Sequence, residues 1–222
     1  MAANEKKSPE ELVTVSPPKM HVLHQTIVGT APYCQLRFGE KARNQMRKKH
    51  EEGSTSKKGS KKEARNFEAD FEQSLHRGPK GEYGIPAAAF RAAAVSACRI
   101  VNFKMTLAKL GLFIEADFFD PRDGTPLVAL KGGKPDMSVL PVRNATGVAD
   151  LRARAMWQQW SVNLRIRYDA DMFRLEDVVN LLSRIGAQVG IGEGRADSKK
   201  STGMGWGSFR LEGDGKVEVV KF

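Results

Sequence analysis

The chain has 222 residues, a formal net charge of +10 and a hydrophobic fraction of 41%. That hydrophobic fraction is enough to fill a core, so a chain that is disordered throughout is excluded. The positive charge favours a polyanionic partner, of which nucleic acid is the first candidate and an acidic membrane surface or acidic protein the next. A basic protein whose charge has no specific partner is the remaining alternative.

The two cysteines, Cys34 and Cys98, are far apart in the chain. They lack the spacing of a disulfide scaffold and the paired C-x-x-C spacing of a zinc site, so neither is expected. The first residues contain no apolar signal segment, and no run of about 18 apolar residues occurs. We therefore expect a cytoplasmic protein that carries no cofactor and no metal ion.

The first third of the chain combines a short ordered start with a strongly basic segment. Residues 1–18 are polar and are predicted to form a disordered tail. Met20 to Val28 predicts a first strand, and Tyr33 to Phe38 a further extended piece. Residues 41–62 carry nine lysines and arginines against two glutamates, a net charge of +7, around the centre GSTSKKGSKK. The whole of 39–84 is therefore predicted to be a basic, flexible insertion.

The middle third is predicted to contain a helix, a strand and a second insertion. Pro86 suits the first turn of a helix, and the sequence AAAFRAAAVSACRI that follows it consists mostly of strong helix formers. Leu112 to Phe119 predicts a strand that ends at a turn beginning with Asp120. Residues 120–156 contain several glycines and prolines, so they are predicted to be an insertion with short extended pieces.

The last third carries the clearest periodic patterns. From Gln159 to Tyr168 apolar and polar residues alternate, which predicts a half-buried antiparallel strand with Arg165 and Arg167 on its polar face. Apolar residues from Leu175 to Ile185 recur at helical spacing, and Gly186 is expected at the helix C-cap.

A final strand pair is predicted after a glycine-rich stretch. Residues 209–212 alternate between apolar and charged, and Gly213-Asp214-Gly215 predicts the turn of a C-terminal hairpin. Without the two insertions, the element order is β-α-β-β-α-β. This order predicts the α+β class with a ferredoxin-like (RRM-like) core, in a single domain of residues 19–222.

The stretch from Val189 to Phe209 is a candidate phosphate-binding loop. It contains six glycines and three cations, Arg195, Lys199 and Lys200, and glycine permits close approach of the backbone to a ligand. The sequence matches neither a P-loop nor a dinucleotide-binding fingerprint. A flexible connection with solvated lysines is the other open interpretation. Trp206 lies between two of the glycines, where base stacking and packing over the last strand are both open.

Residues 160–222 resemble the C-terminal signature of the RAMP superfamily, the RNA-binding subunits of CRISPR effector complexes and their relatives. The resemblance lies in a helix, paired Gly-x-Gly patterns and a final strand, with the motifs Val189-Gly190-Ile191-Gly192 and Gly203-Met204-Gly205-Trp206-Gly207. Two upstream segments, 27–32 and 85–90, are similar to small uncharacterised phage-encoded proteins.

The resemblance implies a modified RNA-recognition-motif fold whose glycine loop lies along a nucleic-acid backbone. In the CRISPR backbone subunits, an insertion after the first strand reaches a neighbouring subunit, and the basic segment 39–84 holds that position here. This chain is shorter than those subunits usually are. The length favours a stand-alone phage or prophage protein that acts in the host cytoplasm.

These patterns predict a non-catalytic protein that binds single-stranded DNA or RNA without sequence preference and coats or anneals strands as a homo-oligomer. A metal-independent RAMP-type endoribonuclease using His21 or His24 is the alternative, and a phage protein that binds another protein is the second. The predicted nucleic-acid-binding residues are Arg43, Arg47, Lys48, Lys49, Lys57, Lys58, Lys61, Lys62, Arg165, Arg167, Gly192, Gly194, Arg195, Lys199, Lys200, Gly203, Gly205, Trp206 and Gly207.

Other ionisable residues are not expected to form a site. His21 and His24 are three residues apart in a strand, so they are expected on opposite faces. His50 and His76 lie in or beside the basic insertion and are expected to be solvated. Two acidic pairs are compatible with Mg²⁺, but a solvated strand face and a turn are the simpler explanation: Glu115 with Asp117, and Asp120 with Asp123.

Overall fold

The computed structural model describes residues 15–51, 65–143, 149–198 and 203–220. Its strands are β1 (Met20–Gly29), β2 (Tyr33–Gln35), β3 (Gly84–Pro86), β4 (Leu112–Ile114), β5 (Phe118–Phe119), β6 (Pro126–Ala129), β7 (Asp136–Arg143), β8 (Ala149–Trp157), β9 (Ser161–Asp169) and β10 (Phe209–Val219). Its helices are α1 (Glu40–Glu51), α2 (Phe67–Ser74), α3 (Ala87–Ala97), α4 (Met105–Gly111) and α5 (Leu175–Arg184), and a π-helical turn, Ile185–Val189, follows α5.

The central sheet has four antiparallel strands in the order β10-β1-β9-β4. The alternation predicted for β9 is confirmed, since Val162, Leu164 and Ile166 are buried and Asn163 is exposed. The buried residues of β1 and β9 pack in one core with residues of α3 and α5. These two helices therefore cover one face of the sheet, and the polar side chains of β9 point to the other face.

Small side chains let α3 approach the central sheet closely. Ala93, Ala94 and Ala97 are buried on the inward face of α3, together with the larger Phe90. A helix that presents mostly methyl groups can lie nearer to its neighbours than one that presents leucine. The predicted helix is present, but Pro86 is its N-cap and the last residue of β3 instead of a residue of its first turn.

Two smaller antiparallel sheets flank the central one, with strand orders β2-β8-β7 and β3-β6-β5. Aromatic rings join the first of them to the central sheet. The Tyr33 ring lies 5.6 Å from the rings of both Trp157 and Trp160, and all three side chains are buried. Stacked and tilted pairs at such separations stabilise a core beyond the area they bury. Trp160 and Tyr168, which lie on the apolar face of the alternation predicted from Gln159 to Tyr168, are both buried.

The prediction that all of 39–84 is flexible is wrong, because α1, α2 and β3 form there. The side chain of Asn66 caps α2 by accepting a hydrogen bond from the Ala69 amide at 3.0 Å. At the other end of α2, the buried Ser74 hydroxyl accepts a bond from the Ala155 amide at 3.0 Å, which ties α2 to β8. The glycine- and serine-rich centre, residues 52–64, lies outside the described residues.

The single strand predicted from Leu112 to Phe119 is two short strands in different sheets. β4 pairs with β9 of the central sheet, and β5 pairs with β6. Between them the Glu115 amide donates to the Arg165 carbonyl at 2.9 Å, and the Asp117 amide donates to the Leu127 carbonyl at 2.8 Å. The chain therefore passes from one sheet to the other within three residues.

The predicted C-terminal hairpin is also wrong, because β10 is one strand of 11 residues along β1. Three β10 residues, Gly213 to Gly215, lie opposite the single β1 residue Gln25 and form a β-bulge. The buried Gln25 amide donates to the carbonyls of Glu212 and Gly213 at 3.1 and 3.3 Å, and Gly213 has a φ of +67°. These long-range bonds accommodate the extra residues without reversing the chain.

Gly186 does not cap α5, contrary to the prediction. It lies inside the π-helical turn, where a Cβ would collide with the carbonyl oxygen of Phe209 at the start of β10. The residue that ends the turn is Gly190, with a φ of +71°. Gly186 is thus required for close packing, and Gly190 for the left-handed conformation.

The chain is a mixed helix and sheet protein with antiparallel sheets, in agreement with the predicted α+β class. Among the described residues, no helix has the length and apolar character that crossing a bilayer requires.

Candidate nucleic-acid interface

Helix α1 is a basic helix without an apolar face. All of its described side chains are exposed, including Arg43, Arg47 and Lys48; those of Lys41, Ala42 and Lys49 are not described. A helix that is polar all round gains little from packing, so its surface remains available to a partner. Arg47 makes a 3.5 Å ion pair with Glu51 one turn later, which supports the helix only weakly.

The first turn of α1 is held to the body of the protein through Asp123. Arg43 of α1 donates to the Asp123 carboxylate at 3.2 Å, and Arg37, which precedes the helix, donates to the same oxygen at 2.9 Å. The Arg37 side chain is only 2% exposed. Burial alone would raise the pKa of Asp123, but bonds from Thr125, Arg43 and Arg37 hold it below its usual range. Arg43 is therefore engaged by a carboxylate of its own chain.

A fully buried carboxylate, Asp120, lies beside the bonds that Arg37 and Arg43 make to Asp123. Arg122 donates to both of its oxygens at 2.9 and 2.8 Å, and Nδ1 of His76 lies 3.3 Å from one of them. Burial would raise the pKa of Asp120, but the bonds from Arg122 and the charge of Arg37 outweigh it and hold the pKa at about 2. Burial lowers the pKa of His76, and its bond to Asp120 opposes that change only in part.

Two expectations about these residues are wrong. His76 is buried against Asp120, so it is not a solvated histidine. Asp120 and Asp123 are bound to arginines instead of forming a solvated turn. Among the described residues, no group of three or more His, Cys, Asp or Glu side chains is placed to hold a metal ion.

The glycine-rich loop folds back on itself and on β2. The Glu193 amide donates to the Cys34 carbonyl at 2.9 Å, and the Gly207 amide donates to the Pro32 carbonyl at 2.7 Å. Within the loop, the Ile191 amide donates to the Gly207 carbonyl at 3.1 Å. Many of the loop's described amides thus make bonds inside the protein.

All six glycines of the loop have positive φ, between +67° and +77°. Steric contact gives most of them a second reason to be glycine. A Cβ at Gly192 would lie 2.5 Å from the Cys34 carbonyl oxygen, and one at Gly203 would lie 2.6 Å from that of Arg195. A Cβ at Gly207 would collide with the Ile191 carbonyl oxygen, whereas Gly205 has no heavy atom within 4 Å of that position. Gly205 is therefore the member of the second triplet that faces open space.

Trp206 is half-buried and packs on a glycine of its own loop. A Cβ at Gly194 would lie 2.5 Å from the indole ring, so the ring covers the backbone there. The neighbouring Met204 is 63% exposed. The segment from Met204 to Trp206 thus offers an apolar edge and the open backbone of Gly205 next to each other.

Charged side chains line a cleft of about 440 Å³ between the loop, β2 and α3. Arg195 is one of them and donates to the Gly192 carbonyl at 3.1 Å. Asp197 accepts 2.6 Å bonds from Ser96 of α3 and from Arg99, and the Ser96 bond is the main cause that lowers the pKa of Asp197. Cys34 also lines the cleft, and burial raises the pKa of its thiol to about 12, so the thiol is expected to stay protonated at neutral pH.

Arg154 of β8 contacts the loop and was not among the predicted residues. Its side chain is 8% exposed and lies 3.2 Å from the Glu193 carboxylate, so it ties the loop to β8. The predicted insertion contains the strands β7 and β8. A strand is indicated there by the alternation of apolar and charged residues in Leu151-Arg152-Ala153-Arg154-Ala155. The partner of Arg154 was not visible, because the two residues are 39 positions apart.

Arg165 and Arg167 lie on the face of the central sheet that the helices do not cover. Arg165 donates to the Ala116 carbonyl at 2.6 Å and lies 3.2 Å from the Asp117 carboxylate. The guanidinium of Arg167 lies over the Phe113 ring, 5.2 Å from its centroid. Glu115 and Asp117 are thus counterions of Arg165, at 3.9 and 3.2 Å. Both arginines are engaged within the sheet.

The two candidate histidines lie on opposite faces of β1, as predicted. His21 pairs in register with Tyr168, and the two rings meet edge to face at 5.7 Å. His24 pairs with Arg165 on the other face, and its Nε2 lies 3.4 Å from the Glu218 carboxylate. A joint site of the two histidines is therefore excluded by their geometry.

The remaining predicted residues lie outside the described part of the chain. They are Lys57, Lys58, Lys61 and Lys62 of the basic segment, and Lys199 and Lys200 of the loop; of Lys49 only the backbone is described.

Comparison with known proteins gives a likeness in structure. No protein-family model and no curated protein matches the chain. A solved structure described as the cryo-EM structure of the type III-B Cmr-beta bound to cognate target RNA is similar at 14% sequence identity with a TM-score of 0.47. The likeness covers 91% of this chain and 61% of that chain, so it spans less than two thirds of the other protein.

Two single substitutions separate the roles of the loop glycines. Gly205→Ala is expected to lower the free energy of unfolding by about 1 kcal/mol, because only its positive φ is strained. Gly194→Ala is expected to cost more, and to expose the indole of Trp206 to acrylamide quenching, because the new methyl group displaces the ring. Denaturant unfolding and tryptophan quenching measure both effects. Equal costs with unchanged quenching would contradict the packing of Trp206 on Gly194.

Proposed function

We propose that the protein binds single-stranded nucleic acid without sequence preference and performs no reaction on it. The observation that carries this proposal is α1, an exposed helix with Arg47, Lys48 and Lys49 on consecutive positions and no apolar face. Consecutive residues of a helix point about 100° apart, so the exposed Arg47 and Lys48 present their charges in different directions, and Lys49 follows them in the sequence. Such a helix suits a flexible polyanion that wraps around it better than a flat protein surface.

The glycine-rich loop is proposed as the second contact. Its segment from Met204 to Trp206 has an exposed apolar edge, and Gly205 leaves room for a ligand beside the backbone. A base that stacks on Trp206 would gain about 1–3 kcal/mol. Arg195 and Lys199 of the same loop supply positive charge nearby in the sequence. Arg43, Arg165 and Arg167 are secondary in this proposal, because each is already engaged within the protein.

We infer a ferredoxin-like (RRM-like) arrangement for the central sheet and its two helices, in a RAMP-like protein. The support is the element order β1, α3, β4, β9, α5, β10 together with β1 and β9 as the two inner strands. In this arrangement the basic segment follows the first strand. We propose that this segment contacts nucleic acid bound along an oligomer of the protein.

Fluorescence anisotropy with labelled 20-nucleotide RNA and DNA strands of mixed, U-rich or T-rich sequence tests the proposed function. We expect binding to both, with affinities that differ little among sequences and fall steeply between 50 and 500 mM salt, because phosphate neutralisation releases counterions. Binding that persists at 500 mM salt, or that requires one sequence, would contradict the proposal. So would the absence of binding at 50 mM salt.

The same strands, run on a denaturing gel without metal ions, test the alternative of a metal-independent endoribonuclease. The observation that favours it is His24, which lies 3.4 Å from Glu218 and pairs in register with Arg165 and Lys216. A histidine with cations beside it can act as an acid or base on RNA. We expect intact RNA. Cleavage that is lost in His24→Ala but kept in His21→Ala would replace the proposed function with the nuclease.

A further inference from the structure

The outer edge of the central sheet is formed by β10. This strand is last in the order β10-β1-β9-β4, and in the described part of the chain it pairs with β1 alone. Val217 and Val219 are 38% and 67% exposed on this strand. A long edge strand presents a row of backbone donors and acceptors that can pair with another chain.

The hydrogen bonds to β1 show which backbone groups of β10 face outward. The Val220 amide donates to the Met20 carbonyl at 2.9 Å, and the Thr30 amide donates to the Ser208 carbonyl at 2.9 Å. Since bonding alternates along an antiparallel strand, the even-numbered residues on both sides of the bulge bond to β1. The amides and carbonyls of the odd-numbered residues Leu211 and Val217 therefore point to the free edge.

The free edge begins after Phe209. The Phe209 carbonyl lies against Gly186 of the π-helical turn, so that end of the strand is covered. The bulge from Gly213 to Gly215 adds two residues relative to β1. Because the bulge adds an even number of residues, the alternation of inward and outward backbone groups is the same on both sides of it. The backbone groups of Leu211 and Val217 therefore point to the same edge.

The charges of β10 are arranged symmetrically about Asp214. Arg210 and Glu212 precede it, and Lys216 and Glu218 follow it at the same distances with opposite charges. If an antiparallel partner is related by a two-fold axis at Asp214, each residue lies opposite the partner's residue that is equally far from Asp214 on its other side. Those pairs are Arg210 with Glu218, Leu211 with Val217, Glu212 with Lys216, and Gly213 with Gly215.

We propose that a second copy of this chain pairs with β10 along this edge, antiparallel, with the two-fold axis at Asp214. The pairing joins the two central sheets into one eight-stranded sheet. Leu211 and Val217 exchange backbone bonds in this register, because both have outward-facing groups. Each ion pair occurs twice, as the symmetry of an isologous interface requires. Glycines at 213 and 215 leave space at the axis, where the strand bulges.

A second copy fits this edge better than an unrelated strand, because the charge pattern is its own complement. Cross-strand pairs of opposite charge stabilise a sheet, and like charges directly opposite each other destabilise it. Asp214 would face its own symmetry mate, which opposes association. The proposed pairing does not depend on nucleic-acid binding, so each can fail without the other.

Sedimentation velocity of the nucleic-acid-free protein tests the proposal at concentrations from 1 to 100 µM. We expect a dimer for the parent protein. Lys216→Glu and Glu212→Lys should each weaken dimerisation by about tenfold or more, because each turns two attractive pairs into two repulsive ones. Lys80→Glu, an exposed site away from β10, is the control for net charge and should dimerise like the parent.

The symmetry of the proposed interface predicts two ways to restore dimerisation. The double variant Glu212→Lys/Lys216→Glu should dimerise like the parent, because both pairs are attractive again. An equimolar mixture of the two single variants should form heterodimers more tightly than either variant forms homodimers, because each strand complements the other. Circular dichroism checks that every variant is folded. The proposal would be overturned if the parent protein is monomeric at 100 µM or if the single variants dimerise normally. It would also be overturned if the control dimerises as weakly as the single variants, or if the double variant or the mixture does not restore dimerisation.

Discussion

Replacing Asp120 by alanine is expected to lower the free energy of unfolding by about 3–5 kcal/mol, the range for removing one partner of a buried ion pair. The Asp120 side chain is fully buried and accepts two bonds from Arg122. Without it, Arg122 loses its carboxylate, and the buried Arg37 loses one of its three acidic neighbours. Chemical denaturation measures the loss. Asp136→Ala, at an exposed site of β7, is the control and should change stability by less than about 0.5 kcal/mol.

The pH dependence of stability provides a second readout of the same cluster. The pKa of Asp120 is about 2 in the folded protein, below its unfolded value, so its contribution is present above about pH 4 and is lost as the pH falls toward 2. The pKa of His76 is also lowered in the folded protein. As the pH falls, His76 is therefore protonated in the unfolded state before it is protonated in the folded state, so acid favours unfolding here too. The loss of stability below pH 4 should therefore be smaller in Asp120→Ala. An unchanged acid profile, or a loss under 1 kcal/mol at pH 7, would contradict this account.

Periodic segments of this chain could be predicted from the sequence, because their structure depends on local pattern. The alternation of β9 and the helical spacing of α5 reflect the burial of one face, which the residues themselves encode. The sequence also indicates that the loop requires a backbone conformation specific to glycine, and in the structure all six glycines have positive φ. Their steric role was not visible, because contacts such as Gly192 with Cys34 join distant parts of the chain.

The failed predictions depend on contacts between distant residues. Gly213-Asp214-Gly215 has the composition of a turn, but the side chain of Gln25, 188 residues before Gly213, holds it as a bulge. Residues 40–51 have the composition of a flexible segment, but Arg37 and Arg43 bind Asp123 about 80 residues away. Local composition predicts what a segment favours by itself, and these contacts decide otherwise.

The order in α1 changes what is expected of the basic segment. A disordered tether would contribute each of its cations about equally. In the structure Arg43 is bound to the largely buried Asp123, whereas Arg47 contacts only the exposed Glu51 and Lys48 is exposed. The cations of the second half of α1 should therefore dominate, and the bonds to Asp123 fix where they lie.

Neutralising three cations of α1 in the variant Arg47→Gln/Lys48→Gln/Lys49→Gln is expected to weaken single-strand binding about 100-fold at 0.1 M salt. Because three fewer phosphates of the single strand are neutralised, the slope of log K against log salt should also flatten by about 2. Glutamine keeps the helix propensity, so α1 should persist. Anisotropy titrations at four salt concentrations measure both quantities.

The matched control removes the same net charge elsewhere, in the variant Lys80→Gln/Lys104→Gln/Lys134→Gln, whose three lysines are exposed. None of these lysines belongs to the proposed contact, so their loss removes no phosphate neutralisation, and this variant should bind within about threefold of the parent with an unchanged slope. Arg43→Gln should also have a small effect, since its guanidinium is bound to Asp123. If the control weakens binding as much as the α1 variant, the attraction comes from the net charge of the protein and α1 is not the contact. If neither variant changes the slope, the strand lies elsewhere, and the loop with Arg195 and Trp206 becomes the remaining candidate.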